Sequence, residues 1–359
     1  MRNFLTQQRT GPEIRIFVPP FGLGMQRFAI AVAGLTLALL WINAVRKGIW
    51  DWLLISGWFA LIAGLWLAHG VPDKLEYILD RLANRGALAV TPERLYSFKQ
   101  ELETRVVKYW ALGGGSTVAL AILVAFVFAF PGREIYFRIP LTLAEMLGGY
   151  IAGCYLGRMA CYGTLGSSLK STGMELWVIA GHPDSVGGLK PVGDFYFYQA
   201  MVVAIPATFL AIWLLLIPLP YFHPLYHHWQ RAYAGLLALA IVFEMLAFLI
   251  PLRSFHCEME RQKRILLQEA DKLSPEIAEI QRKLAEGQPG DEAKALRDSL
   301  ADKIARYWAI EQLPTWPIDL RTKGLFSLNN VALLLPLISE YTGLSKQWAD
   351  FLKTMLGAT

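Results

Sequence analysis

The sequence predicts an all-α polytopic membrane protein, with about six transmembrane helices and a cytoplasmic helical-hairpin domain. Three observations lead there. Residues of the AVILMFWYC set make up 55% of the 359-residue chain, whereas Asp, Glu, Lys and Arg make up only 18%. The apolar residues are gathered into long blocks, and a block of roughly 18 or more can cross a hydrocarbon core about 30 Å thick as a helix. Lysine and arginine alternate between rich and poor connections, as the orientation of a multi-spanning chain requires.

The elements follow in order. Segment 1–25 carries Arg2, Arg9, Glu13, Arg15 and Pro19-Pro20. It lacks the apolar region and cleavage site of a secretory signal, and is expected to be a cytoplasmic N-terminal segment. The transmembrane domain is expected over 26–252, with spans near 26–45, 52–69, 109–130, 141–164, 197–219 and 231–252. Trp41, Trp50, Trp52, Tyr109, Trp110 and Trp229 mark the edges, where aromatic rings prefer the headgroup level. The second connection holds Lys74, Arg81, Arg85, Arg94, Lys99, Arg105 and Lys108; the first has Arg46 and Lys47, the third Arg133 and Arg138, and the fifth Arg231. This bias puts both termini, loops 70–108 and 165–196, and the C-terminal helical domain 253–359 in the cytoplasm. Within 70–108, Leu75, Ile78, Leu79 and Leu82 share one helical face, and Thr91-Pro92 starts a second helix.

Past Arg253, HCEMERQKRILLQEADKL continues the last span as a charged helix. Ser274-Pro275 reads as the N-cap and first position of the next helix, with Ile277, Ile280 and Leu284 on one face. GQPGD turns the chain, and Leu296, Leu300, Ile304 and Trp308 form a returning stripe. Two stripes predict an antiparallel pair, packed on its own chain or extended into a coiled coil by homo-oligomerisation. NNVALLLPLISEY has an apolar core too short for a crossing and contains Pro336. It reads as a buried core helix or, beside Arg321 and Lys323, as one lying on the membrane surface.

Several function classes drop out. A net charge of +5 reflects orientation, and nucleic acid is not an expected partner. The three cysteines, Cys154, Cys161 and Cys257, form neither a disulfide framework nor a metal cluster, and read as small buried thiols. GTLGSSLKSTG lacks the spacing of a phosphate-binding loop. His223, His227 and His228 read as interfacial, without a carboxylate or thiol beside them to complete a metal site. No cofactor or metal is expected.

Ionisable residues inside spans are costly and line an interior or find a partner. Three such residues are Glu145 and Arg158 in the fourth span and Glu244 in the sixth. Arg158 and Glu244 lie roughly 9 Å and 13 Å from the same face at 1.5 Å per residue, which suits an Arg158–Glu244 pair or a pore lining. Gly149, Gly153 and Gly157 repeat every four residues, a stripe that admits the backbone of a neighbouring helix.

The connection GHPDSVGGLKPVGD raises the question of a site. Pro183 and Gly187-Gly188 dictate a tight turn, Asp184 can cap amides, His182 brings an imidazole beside it, and glycine amides suit an anion. The alternative is a rigid elbow into the fifth span. The same tripeptide in J-domains joins two helices of a small soluble domain, a pattern missing from this sequence. HPDSVGGL together with LPTWPIDLRT resembles a group of bacterial multi-spanning inner-membrane proteins that share an HPDxxGGL-like turn and a WPxDxRT-like stretch after a charged hairpin. The resemblance covers roughly the last half of the chain and implies membrane location and a common fold, without an activity. The favoured expectation is an oligomeric channel or pore gated from the cytoplasmic side. The alternatives are a membrane scaffold or effector subunit binding a cytoplasmic protein or small signalling ligand, and an intramembrane enzyme acting on lipid with His182 and Asp184 as acid and base.

Overall fold

The computed structural model describes residues 23–47, 50–129, 135–217, 225–287 and 290–342. The described chain is helical almost throughout. Helix α1 (Leu23–Lys47) is followed by α2 (Trp52–His69), whose first turn is closed by Asp51 accepting from the Leu54 amide at 3.2 Å. Pro72 opens α3 (Val71–Asn84), which buries the expected stripe Leu75, Ile78, Leu79 and Leu82. Gly86 takes a positive φ of 72° and turns the chain into a two-residue strand β1 (Leu88–Ala89). Thr91 caps α4 (Pro92–Arg105), accepting from the Arg94 amide. A π-helical turn, Val106–Ala111, then joins α4 to α5 (Leu112–Ala129).

Helix α6 (Ile135–Gly163) leads through short α7 (Leu165–Ser171) to β2 (Glu175–Leu176), which pairs antiparallel with β1, Leu88 opposite Leu176. Helices α8 (Lys190–Val203) and α9 (Ile205–Leu216) meet at a 42° bend, where Pro206 removes a donor from the helical ladder. Helix α10 (Leu225–Ala285) runs 61 residues without a break, and α11 (Gly290–Glu311) and α12 (Leu320–Thr342) return along it.

Four helices among the described residues are long and apolar enough to cross a bilayer: Trp52–Asn84, Pro92–Val124, Ile139–Gly163 and Gln230–Ala285; the bent α8–α9 pair makes a fifth. Their outer flanks carry large apolar side chains with nothing over them, such as Trp66 at 77% exposure and Phe59 at 61%. A water-facing surface of this kind would be unusual, and the arrangement is compatible with a membrane protein.

The largest core gathers at one end of the bundle. Leu75, Leu79, Leu82 and Leu102 from α3 and α4 meet Tyr162 of α6, Phe195 and Tyr196 of α8, and Phe255 of α10. Tyr196 donates to the Tyr162 carbonyl at 2.9 Å and Gln199 to that of Met159 at 2.9 Å, so α8 closes the end of α6 with its own side chains. Buried Lys99 ties α4 to α3 through Asp80 at 2.8 Å and Glu76 at 3.5 Å. Segments 70–108 and 165–190 converge here with both ends of 253–319, through Phe255, Met259, Leu313 and Ile318.

Three expectations about the tail need correction. Ser274-Pro275 starts no new helix, because α10 continues through Pro275 to Ala285. Helix α11 packs along α10 on both sides of the proline, where the Glu269–Arg306 and Glu276–Lys303 ion pairs mark its course, and that packing offsets the one lost hydrogen bond. Trp308 does not join the inward stripe of α11; it is 54% exposed, and Ile310 is the buried residue there. The NNVALLLPLISEY stretch is part of a 23-residue helix that Pro336 does not end, and it is buried on only one flank, through Phe326, Asn330, Leu333 and Leu337.

Candidate functional site

The elbow is built around Asp184. Its Oδ1 accepts from the amides of Val186 at 3.1 Å and Gly188 at 2.9 Å. Its Oδ2 accepts from the Arg85 guanidinium at 3.2 Å and from the Lys190 amide at 3.4 Å. His182 Nδ1 lies 2.8 Å from Oδ1 and 3.2 Å from the Asp184 amide. Burial pushes the Asp184 carboxyl up, but the Gly188 and Val186 amides and His182 outweigh it and hold the group below the usual carboxylate range. Gly187 and Gly188 have φ of 67° and 89°, a left-handed backbone that lets those amides turn inward. The glycine-rich turn therefore does cradle an anion, and the anion is the chain's own Asp184.

The second motif meets the first. Asp319 caps α12 through the Thr322 amide at 2.8 Å and forms an ion pair with Lys190 Nζ at 2.7 Å. The Lys190 contact and then the Thr322 amide hold the Asp319 carboxyl down at about 2. The Pro317 carbonyl lies so close over Gly193 that a Cβ there would overlap it. Trp316 stacks on His256 of α10, ring centroids 4.3 Å apart, and His256 Nδ1 sits 2.7 Å from the Thr315 carbonyl. Lys263 donates to the carbonyls of Glu311 and Leu313. Gln262 accepts from the Val178 amide at 2.7 Å and donates to the Leu176 carbonyl. HPDSVGGLK and LPTWPIDLRT, remote in sequence, thus form a single latch across α10.

Beside the latch, Ala180, Gly181, Leu266, Ala305, Ala309 and Ile310 floor a cleft where elbow and hairpin meet, and Glu269, Asp302 and Arg306 stand at its charged side. Among the described residues, no group of three His, Cys, Asp or Glu side chains is placed to hold a metal ion. His223 lies outside the described residues, and the side chains of His227 and His228 do as well.

The intramembrane candidates are partnered differently from the expected Arg158–Glu244 pair. Arg158, 1% exposed, pairs with Glu103 at 2.8 Å and lies 3.4 Å from the Tyr162 hydroxyl. Glu244, fully buried, accepts from Asn329 of α12 at 2.8 Å. Its Oε2 and the Oδ1 of Asn330 find no hydrogen-bond partner among the described residues. Glu145 accepts from the Trp58 indole at 2.8 Å. The glycine stripe explains how Glu103 comes within reach. A Cβ on Gly153 would overlap the Gly114 carbonyl, one on Gly157 the Trp110 carbonyl, and one on Gly149 the Ile122 side chain. Backbone contact between α5 and α6 draws the adjoining end of α4 over Arg158.

Glu103, Asn329, Arg85 and Asp319 carry much of this geometry; from the sequence, Arg85 counts only as one of the basic residues of its connection and Asp319 only as a position of the WPxDxRT-like stretch, and Glu103 and Asn329 do not stand out. Glu103 is one carboxylate among several on a charged helix, so periodicity could not distinguish it. Asn329 was visible in principle, since two adjacent asparagines in an apolar helix require partners. Comparison of the chain with family models, curated proteins and solved structures found no match.

Proposed function

We propose that the chain is a membrane scaffold or effector subunit whose hairpin receives a protein partner and whose longest helix carries that engagement to the bundle. The observation behind this reading is the continuity of α10, which enters the apolar bundle, the latch and the hairpin as one rigid element. At 1.5 Å per residue its 61 residues extend about 90 Å. Segments 70–108 and 253–319 hold seven and eleven Lys and Arg, against two, two and one in the first, third and fifth connections, which supports a cytoplasmic location for the hairpin. The resemblance of the two motif stretches to bacterial inner-membrane proteins supports that membrane, and apolar helix α1 supports a six-span count before the hairpin. The cleft at Ala180 and Ile310 is the favoured docking place, with Trp308 and Ile265 exposed nearby on the two hairpin helices. A photo-reactive residue at position 308 or 265 is expected to give one discrete adduct in cells. Arg306→Glu should abolish the adduct while membrane insertion is unchanged. No adduct at any hairpin position, combined with ion conductance by the purified protein in planar bilayers, would reverse this reading.

One observation keeps a second reading, the oligomeric channel gated from the hairpin side. Glu244 is a buried carboxylate within the apolar part of α10 and has an oxygen without a partner among the described residues. Under that reading Glu244→Gln alters conductance or its pH dependence. Arg158 and the glycine stripe lend it no support, because both are engaged in contacts within the chain.

A further inference from the structure

We propose that α12 crosses the bilayer, so that the chain traverses the membrane once more after the hairpin. The hairpin turn and the end of α12 then lie on opposite faces. This goes beyond the partner-binding reading and does not rest on it.

The first ground is register. The chain after the hairpin runs back along α10 in reverse order. Lys303 pairs with Glu276, Arg306 with Glu269, and Leu313 with Lys263; Trp316 stacks on His256. The same progression continues into the apolar stretch. Phe326 lies on Phe248 with ring centroids 4.2 Å apart, and Asn329 bonds Glu244. Leu333 and Leu337 share a cluster with Leu237 and Ile241, and Glu340 accepts from Gln230. From Phe248 back to Gln230 is about 27 Å at 1.5 Å per residue, close to a hydrocarbon core of about 30 Å. The same helix, over Gln230–Ala285, is one of those long and apolar enough to cross. Wherever that stretch crosses, α12 occupies the same depth.

The second ground is the outer surface. Leu328, Val331, Leu335 and Ile338 repeat at steps of three and four, which is one helical flank, and each is more than half exposed. Over the same length α10 carries an exposed row of its own, with Phe243, Leu239 and Leu236 also at half exposure or more. The hydrocarbon that covers one row covers the other. Between Lys323 and Glu340 the helix holds no ionisable side chain, and its ends carry Arg321 and Lys323 on one side and Glu340 and Tyr341 on the other. Its two asparagines spend their amides inside the protein, Asn329 on Glu244 and Asn330 on the Phe326 carbonyl at 2.9 Å. Pro336, facing the bundle, is tolerated in such a setting.

Single cysteines in the full chain test the crossing, in a Cys257→Ser background. Gly287→Cys lies in the hairpin turn, where a side chain meets nothing, and Tyr341→Cys replaces a residue 82% exposed. A membrane-impermeant maleimide should label one only in intact spheroplasts and the other only in inverted vesicles. Labelling of both from the same side would overturn the proposal. Thr342→Cys repeats the measurement should the tyrosine variant fail to insert. Nitroxides at Leu328 and Leu335 should collide with oxygen and be protected from a water-soluble nickel complex. Access to the nickel complex would put α12 in water and overturn the crossing. Exclusion of both reagents would mean that a second copy covers the flank, and would overturn the lipid contact.

Discussion

Arg158 is buried to 1% exposure and reaches Glu103 where α4 meets α6, and neither charge is stable there without the other. Removing one partner of a buried pair leaves an uncompensated charge, at a cost of roughly 3–5 kcal/mol. Arg158→Met and Glu103→Leu are therefore each expected to lower the melting temperature strongly in detergent. The double variant should recover most of the loss, because it removes both desolvation penalties together. Additive losses in that cycle would show that the two groups act separately. Asp184 belongs to a different class, because its partners are mainly backbone amides. Asp184→Ala strands three amides and Arg85, and is expected to cost on the order of 3 kcal/mol. The damage should appear as proteolysis between positions 177 and 189, whether or not any ligand is present. Asp184→Asn keeps one acceptor and should fall between. The sequence announced this turn, since proline and two glycines leave few backbone choices. Glu103 stayed hidden, because its role arises from a distant glycine contact.

Among the elements, the glycine stripe on α6 was legible and its consequence can be measured. Gly153→Ala forces α6 away from the Gly114 carbonyl, a backbone atom that cannot yield cheaply, and is expected to cost roughly 1–3 kcal/mol. Gly113→Ala is the matched control: its Cβ meets nothing, so helix propensity should leave stability unchanged or raise it by up to about 1 kcal/mol. Equal losses at the two positions would remove close packing as the explanation. The latch makes a prediction in acid. Asp319 is held at about 2, below the ordinary value of 3.8, so its contribution is complete above that ordinary value and fades as pH falls towards 2. Hydrogen exchange over residues 312–322 should accelerate through that interval, and Asp319→Asn should flatten the dependence. Helix boundaries at Thr91 and Pro92 were readable because capping is local. The extent of α12 was not, since Asn329, Asn330 and Pro336 dilute its hydropathy and only contact with α10 supplies their partners. Pro275 misled for the converse reason: its local rule is outweighed by a helix packed along both sides.

At the scale of the molecule, α10 joins two regions of very different packing. At the latch end, Tyr162, Phe195, Tyr196 and Phe255 are at most 1% exposed and hydrogen bonds tie α8 to α6. Along the hairpin, Ile277, Ile280, Leu284, Leu296 and Leu300 are only half-buried, and exposed ion pairs such as Arg306–Glu269 contribute little. Opening free energies follow buried contacts, so exchange protection in the isolated protein should be high near α6 and α8 and fall steadily towards Gly287. A hairpin built to receive a partner is expected to show this gradient, with protection of 275–300 rising when the partner binds. The long apolar helices could be read from apolar run length, but this gradient could not, because a half-buried seam and a fully buried one share the same heptad-like stripe. Hydrogen exchange on the detergent-solubilised chain measures it directly. Distal hairpin residues as protected as α6 would mean that a second copy already covers the seam, and the hairpin would then be an oligomer contact and not a free receptor.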